Sequence, residues 1–346
     1  MKIENKNNNT YRVAAGVVTY GSRLSLLTQT VTAILHDKHI SKLFIIDNAS
    51  VDGDAITREM AQYGDRVHII RHTKNLGSAG GFAHALEVAR EEDVDYVYLS
   101  DDDVIISPDF VESFRTAHKV IGNDQTVLLA RRKSFWAGTD VHYSPDVRSR
   151  PRSYFNIFDP RIAFIFIKSI LRMEEKHVTH DSANFFPLVP SFGWAYAGSL
   201  LPIQAVKNTP LPVTSLGLYL DDLVYSWGII DAGYLSFALT EPHLVDLEMT
   251  HADAHTATGL SSSAVSQTKI YYETRNRVRV SLLYGNSSPL WLRVRVVIWC
   301  IGVGILSVFR YGIHTHTVLR MNLIIEALRA GFDPTRLIPD EISVKI

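Results

Sequence analysis

Three consecutive aspartates, Asp101-Asp102-Asp103, end an apolar run from Val94 to Ser100. Carboxylates crowded at the end of a strand repel one another unless a cation neutralises them. A hard divalent ion with oxygen ligands is the natural partner, and such ions commonly carry a phosphate-bearing molecule. The competing interpretation is a solvated acidic turn ahead of a helix at Pro108. A second acidic pair, Asp221-Asp222, follows Leu218-Tyr219-Leu220 and heads a helix expected to run to Tyr234. A helix cap, worth about 1 kcal/mol, accounts for one aspartate and not for two. A carboxylate held there beside a bound substrate could take the proton of an attacking hydroxyl, a general-base role. Downstream, His251 could complete a metal's coordination as a neutral imidazole, with His255 a weaker candidate.

The elements around these residues read as an alternation. A strand over 11–20 leads to a helix over 24–35, then a strand over 42–46 that ends at Asp47-Asn48-Ala49-Ser50. A short helix (54–63), a strand (67–71) and a helix over 82–90 follow, and the next strand meets the aspartate triplet. Regular alternation of this kind predicts a doubly wound parallel sheet, whose ligands bind outside the carboxyl ends of the strands. Thr19-Tyr20, Asp47-Asn48 and the triplet all fall at such ends. The segment Asn75-Leu76-Gly77-Ser78-Ala79-Gly80-Gly81 has neither the G-x-G-x-x-G nor the G-x-x-x-x-G-K-[ST] spacing of the common phosphate motifs. Its small residues still allow a ligand close to the backbone at a helix start. Trp194 and Tyr196, in the stretch 191–198, suit stacking on a sugar ring or belong to the core.

A chain of 346 residues with 46% apolar content builds one large domain or two modest ones. Its net charge of −1 points to no nucleic-acid partner, although ten Lys/Arg face five Asp/Glu from Tyr271 onward. Cys300 stands alone, so no internal disulfide forms, as suits a reducing compartment. Residues 1–10 are polar and Asn-rich, expected as a disordered lead-in with no signal peptide. Residues 131–190 hold a basic cluster (Arg131-Arg132-Lys133) and a short apolar helix near 162–171, expected either to cover the site or to touch membrane. Val296 to Phe309 is an uncharged apolar run of about fourteen residues, short of the roughly twenty that span a bilayer. Trp291, Arg293, Arg295, Trp299 and Arg310 flank or punctuate it. It reads as a helix lying in an anionic bilayer surface, with a core helix or a helix pairing two subunits as the alternatives.

The order of Asp-Asn-Ala-Ser, Asn-Leu-Gly-x-x-Gly-Gly, Asp-Asp-Asp, an aromatic patch, Asp-Asp-x-x-Tyr, His and Tyr-x-x-x-Arg-Asn-Arg resembles the family 2 inverting glycosyltransferases of GT-A fold. Within them it looks most like the bacterial galactofuranosyltransferases. The resemblance covers roughly residues 11–285, with 286–346 as a helical, basic, membrane-associated extension. It implies Mn²⁺ or Mg²⁺ held by Asp101, Asp103 and His251, with Asp102 facing the donor and Asp222 as base. The spacing from Asp222 to His251 is longer than the family pattern. Nucleotide contacts would come from Thr19, Tyr20, Arg23, Asp47 and Asn75, and acceptor contacts from Trp194, Tyr196 and Asp221. Trp194 and Tyr196 stand where the family often has adjacent tryptophans. The resemblance further implies a UDP-galactofuranose donor and a lipid-linked surface glycan as acceptor. It places the chain in the cytoplasm, peripheral on the inner face of the bacterial membrane, and leaves a homo-oligomer open. Rivals are a rhamnosyl- or other hexosyltransferase of O-antigen or capsule assembly, a non-catalytic nucleotide-sugar-binding scaffold, and a metal-dependent nucleotidyltransferase. The last would bring a basic residue into a Gly-rich loop near 16–22, where only Arg23 stands close.

Overall fold

The structure is a computed structural model that describes residues 11–132, 155, 188–248, 266–285, 288–333 and 335. Its first half alternates as expected: β1 (Val13–Thr19), α1 (Leu24–His36), β2 (Ile40–Asp47), α2 (Gly53–Met60), β3 (Val67–Arg71), α3 (Gly77–Arg90) and β4 (Tyr96–Asp101). β1 is buried along its whole length, as a central parallel strand must be when helices cover both faces. Val13, Ala15 and Val17 pack against Leu27, Val31 and Ile34 of α1 on one face. Ala14 and Val18 meet Phe82, Ala85 and Leu86 of α3 on the other. Burying each such large aliphatic side chain contributes about 1.5–3 kcal/mol, which makes α1 and α3 firm walls for the strand ends.

Past the aspartates the architecture departs from simple alternation. β5 (Val104–Ile106) follows at once, then α4 (Phe110–Ile121), β6 (Val127–Arg132), β7 (Leu188–Pro190), β8 (Ser199–Pro202), α5 (Ile203–Asn208), α6 (Asp221–Asp231) and β9 (Ser236–Asp246). The sheet runs β3-β2-β1-β4-β8-β6-β9-β5, with β7 on the same edge of β9 as β5. β1 to β4 pair in parallel, whereas β8 runs antiparallel to both β4 and β6. A three-residue strand such as β5 is too short to show a period, so the sequence reads there only as the approach to a helix.

Three helices complete the described chain: α7 (Gln267–Tyr284), α8 (Pro289–Tyr311) and α9 (Thr315–Phe332). Ser288 caps α8 by accepting from the Trp291 N–H, and Pro289 occupies the first turn, where its missing N–H costs nothing. Leu292, Val296, Trp299 and Val303 form a buried seam at intervals of four, three and four, against Ile270 and Val278 of α7 and Ile324 and Leu328 of α9. The apolar run expected to be too short to span a membrane is part of a longer helix. Residues 289–309 reach a mean hydropathy of 2.0 over a length sufficient to cross one, and a third of that window is buried. The sequence count stops at Arg295, but the helix continues through both arginines to Pro289.

Candidate active site

The strand register brings the carboxyl ends together. Thr19 pairs with Asp47, Val18 with Asp101, and Asp47 with Arg71. Asp102 and Asp103 occupy the tight turn from β4 to β5, and that turn is tied to the far edge of the sheet where the Leu247 N–H donates to Asp103 O at 2.8 Å. Asp102 is 2% exposed and accepts from the Thr19 hydroxyl at 2.6 Å. Arg23, at the start of α1, reaches into the turn. Its Nε lies 2.9 Å from Asp102 Oδ1, one Nη 2.9 Å from Asp103 Oδ2, and the other 2.7 Å from Glu248 Oε2. Burial pushes the Asp102 carboxyl up to about 7, even though Thr19 and Arg23 pull it down. One guanidinium therefore shares the charge of three carboxylates, and desolvation still outweighs it at Asp102.

Of the residues expected to contact a nucleotide, Tyr20 is 47% exposed, with the Arg23 guanidinium 5.3 Å from its ring centroid. Its open face suits stacking. Thr19 is fully buried and its hydroxyl serves Asp102. Asp47 is also fully buried: it accepts from the Ser50 N–H at 2.7 Å and pairs with Arg71 at 3.2 Å. Asp47 thus shapes its turn from inside, because a carboxylate bonded to backbone and guanidinium is withdrawn from the surface. Asn75 accepts from the Gly77 N–H at 2.9 Å, shaping the start of α3.

That start of α3 joins the end of β2 to the Asp221-Asp222 turn. On one side the Asn48 amide donates to Gly77 O at 2.9 Å, and on the other the Ala79 N–H donates to Gly217 O at 3.1 Å. Gly77 has φ +73°, and a Cβ there would lie 2.1 Å from Gly217 O, so only glycine permits this contact. The turn after Gly217 is strained: Tyr219 and Leu220 sit at φ 66° and 63°, at a cost of about 1 kcal/mol or more each. It delivers Asp221 and Asp222 into the first turn of α6.

The pair is unequal. Asp221 is 2% exposed, and the Ser78 hydroxyl donates to it at 2.8 Å. Burial first, then the charge of Asp222, raises its carboxyl well above the ordinary carboxylate range. Asp222 is half-buried and accepts from the Leu223 N–H at 2.8 Å. Burial thus disfavours the charged form of Asp221, whereas Asp222 is the less buried of the two carboxylates. Asp221, expected at the acceptor, is instead tied back to α3 because its environment excludes water.

Trp194 and Tyr196, expected to face an acceptor, are 7% and 5% exposed. Tyr196 stacks on Phe82 at 4.2 Å between ring centroids, so both aromatics take the core alternative. Burial, followed by the charges of Asp221 and Asp222, holds the Tyr196 phenol far above its usual range, which places it beside the pair. His251 lies outside the described residues. Among the described residues no group of three or more His, Cys, Asp or Glu side chains is arranged to hold a metal ion. The chemistry of Asp101 and Asp103 still fits a hard divalent ion, since both offer oxygen donors at the turn, with diphosphate oxygens available to complete the shell. Glu248 and Ser78 contact these acidic groups and were not expected from the sequence. Asn48, which binds Gly77, belongs to the strand-end residues the sequence singled out.

Residues 15–185 match the family model described as glycosyl transferase family 2. That segment carries β1 to β6 and the aspartate triplet, and over it the chain is a family 2 glycosyltransferase domain of GT-A fold. The chain is accordingly a transferase enzyme. Among solved structures it is similar to GalNAc-T7 with UDP, GalNAc and Mn²⁺ (10% identity, TM-score 0.51, covering 85% of this chain and 55% of that one). It is also similar to the mannosyltransferase PcManGT from Pyrobaculum calidifontis in complex with GDP-Man and Mn²⁺ (14%, 0.50, 94% and 89%). S. aureus TarS 1–349 aligns at 11% identity and TM-score 0.46, over 94% of this chain and 93% of that one. At these identities the likeness concerns the fold. No curated protein sequence matches the chain significantly.

Proposed function

We propose that this enzyme transfers galactofuranose from UDP-galactofuranose to a hydroxyl of a lipid-linked bacterial surface glycan, with inversion at the anomeric carbon and with Mn²⁺ or Mg²⁺ as cofactor. The observation that carries the reading is the common wall formed by the start of α3, which ties the β2 end on one side to the Asp221-Asp222 turn on the other. Asp101 and Asp103 would hold the ion, with His251 as a further ligand. Mn²⁺ in the GalNAc-T7 and PcManGT complexes supports a divalent ion here. Bound there, the ion supplies positive charge against the departing diphosphate. Tyr20 offers a face for the base, and Arg23 brings a second cation to the leaving group. Asp222 accepts the acceptor's proton as that oxygen attacks the anomeric carbon from the face opposite the diphosphate. The new carbon–oxygen bond forms as the bond to the diphosphate breaks, UDP leaves, and no covalent sugar–enzyme intermediate is required.

The donor is tested by incubating the protein with UDP-galactofuranose or dTDP-rhamnose, Mn²⁺ and a membrane glycolipid extract, and measuring released nucleotide. UDP release that depends on the extract is expected, with dTDP release at background. The reverse pattern assigns a rhamnosyltransferase, and no release from either donor removes the galactofuranose reading.

This reading places the chain on the cytoplasmic face of the membrane, and the outer face of α8 supports contact with a bilayer. Trp291, Val297, Ile301, Ile305 and Phe309 are all more than half exposed along one helix. Arg293 and Arg295 stand near its start, as suits a helix held at an anionic bilayer. Deleting the C-terminal region would be a poor test, since α9 packs against Tyr271 and Tyr272 of α7. The double substitution Ile301→Glu/Ile305→Glu leaves that packing intact. It should reduce co-sedimentation with phosphatidylglycerol vesicles by about tenfold or more. Unchanged sedimentation counts against the bilayer, and conversion of a dimer to a monomer assigns the face to a second copy of the chain.

A further inference from the structure

We propose that Asn276 is a positioning residue for the aspartate pair, its side-chain amide, oriented by Arg275, holding the turn from which Asp221 and Asp222 project. The inference rests on the reading of Asp222 as the base. After Gly217 at φ 71°, which glycine adopts freely, the turn carries Tyr219 and Leu220 at φ 66° and 63°, a conformation that residues with a Cβ disfavour. Its carbonyls converge on α7. The Asn276 amide nitrogen lies 2.8 Å from Leu216 O, 2.7 Å from Leu218 O and 3.0 Å from Tyr219 O. Two N–H groups thus serve three carbonyls across the strained stretch.

An asparagine amide can turn over by half a rotation, and a second contact prevents it here. The Arg275 Nε–H donates to Asn276 Oδ1 at 2.9 Å, which leaves the nitrogen facing the turn. The same guanidinium donates through Nη2 to Leu216 O at 2.6 Å and Ser215 O at 3.1 Å. Its ring partner is Tyr272, 4.5 Å from the guanidinium carbon. Arg275 is 1% exposed and Asn276 fully buried, and among the described residues Arg275 has no carboxylate partner. Burying an unneutralised guanidinium disfavours its charged form, and burial pushes Arg275 down to about 10. A cation held at that disadvantage is explained by what it aligns. From the opposite side, Ala79 and Ser78 of α3 grip Gly217 O and Asp221. The turn is clamped between the wall of the donor site and α7, and Asn276 acts through it without touching substrate.

The test is steady-state UDP release from UDP-galactofuranose alongside calorimetry of UDP with Mn²⁺, on the full chain. Asn276→Ala should lower kcat by about 100-fold, the effect of a base displaced by about an ångström. Affinity for UDP with Mn²⁺ should stay within about threefold, because the strand ends are untouched. Asn276→Asp, equal in volume but lacking the N–H donors, should lose at least as much, which separates the bonds from the packing. Should Asn276→Ala fail to fold, Arg275→Lys carries the test. It keeps the cation but loses the Nε contact, and a kcat loss of about tenfold with unchanged UDP affinity is expected. A folded variant with kcat within about threefold of wild type overturns the proposal, as does a kcat loss matched by an equal loss of UDP affinity. Asp222→Asn run in parallel keeps the two failures apart. If it stays active the base reading has failed, whereas an inactive Asp222→Asn beside a normal Asn276→Ala sinks the clamp alone.

Discussion

Asp222→Asn should lower kcat by about 10³-fold while affinity for UDP with Mn²⁺ stays within about threefold. Asparagine matches aspartate in volume and is equally at home near a helix start, so α6 should form unchanged. What disappears is the proton acceptor. Asp221 cannot take over, because burial and then the charge of Asp222 disfavour its charged form, outweighing the opposite pull of the Ser78 hydroxyl. Asp221→Asn is therefore a sharp contrast. It keeps the bond to Ser78 and should retain far more activity than Asp222→Asn. If the two variants lose activity equally, the division of roles within the pair is wrong. If Asp222→Asn works at near wild-type rate, the base lies elsewhere.

Asp103→Ala should weaken Mn²⁺-dependent UDP binding by about 100-fold, as expected when a metal loses one of its carboxylates. The fold should survive, since Arg23 retains Asp102 and Glu248 as partners. UDP binding without metal should change far less, because the remaining contacts are to the nucleotide. A variant in which both forms of binding fall together would instead show that Asp103 maintains the turn through Arg23.

The half of the fold built from β1 to β4 was legible because parallel strands buried on both faces appear as continuous apolar runs between helices. The later half was not. β5 and β7 are three residues each, and the antiparallel partners of β8 and β9 are set by contacts far apart in the sequence. The acidic groups of the site were legible for their unusual spacing, but their neutralisation was not. Nothing in the sequence near Arg23 shows that it meets Glu248, 225 positions away. Burial was the other hidden quantity: Trp194 and Tyr196 are equally plausible as a sugar platform or as core until Phe82 is placed against Tyr196. The Arg275-Asn276 pair carried a motif but no role, because its bonds go to backbone carbonyls whose direction depends on the left-handed residues before α6.

The central claim is that Asp103 grips a cation beside the diphosphate while Asp222 faces the sugar. Anomalous diffraction from crystals soaked with Mn²⁺ and UDP-galactofuranose tests it most directly. A manganese peak is expected within about 2.5 Å of an Asp103 oxygen and beside the diphosphate, with the Asp222 carboxyl on the opposite side of the anomeric carbon. Manganese bound away from residue 103, or Asp222 turned out of the sugar pocket, would contradict it.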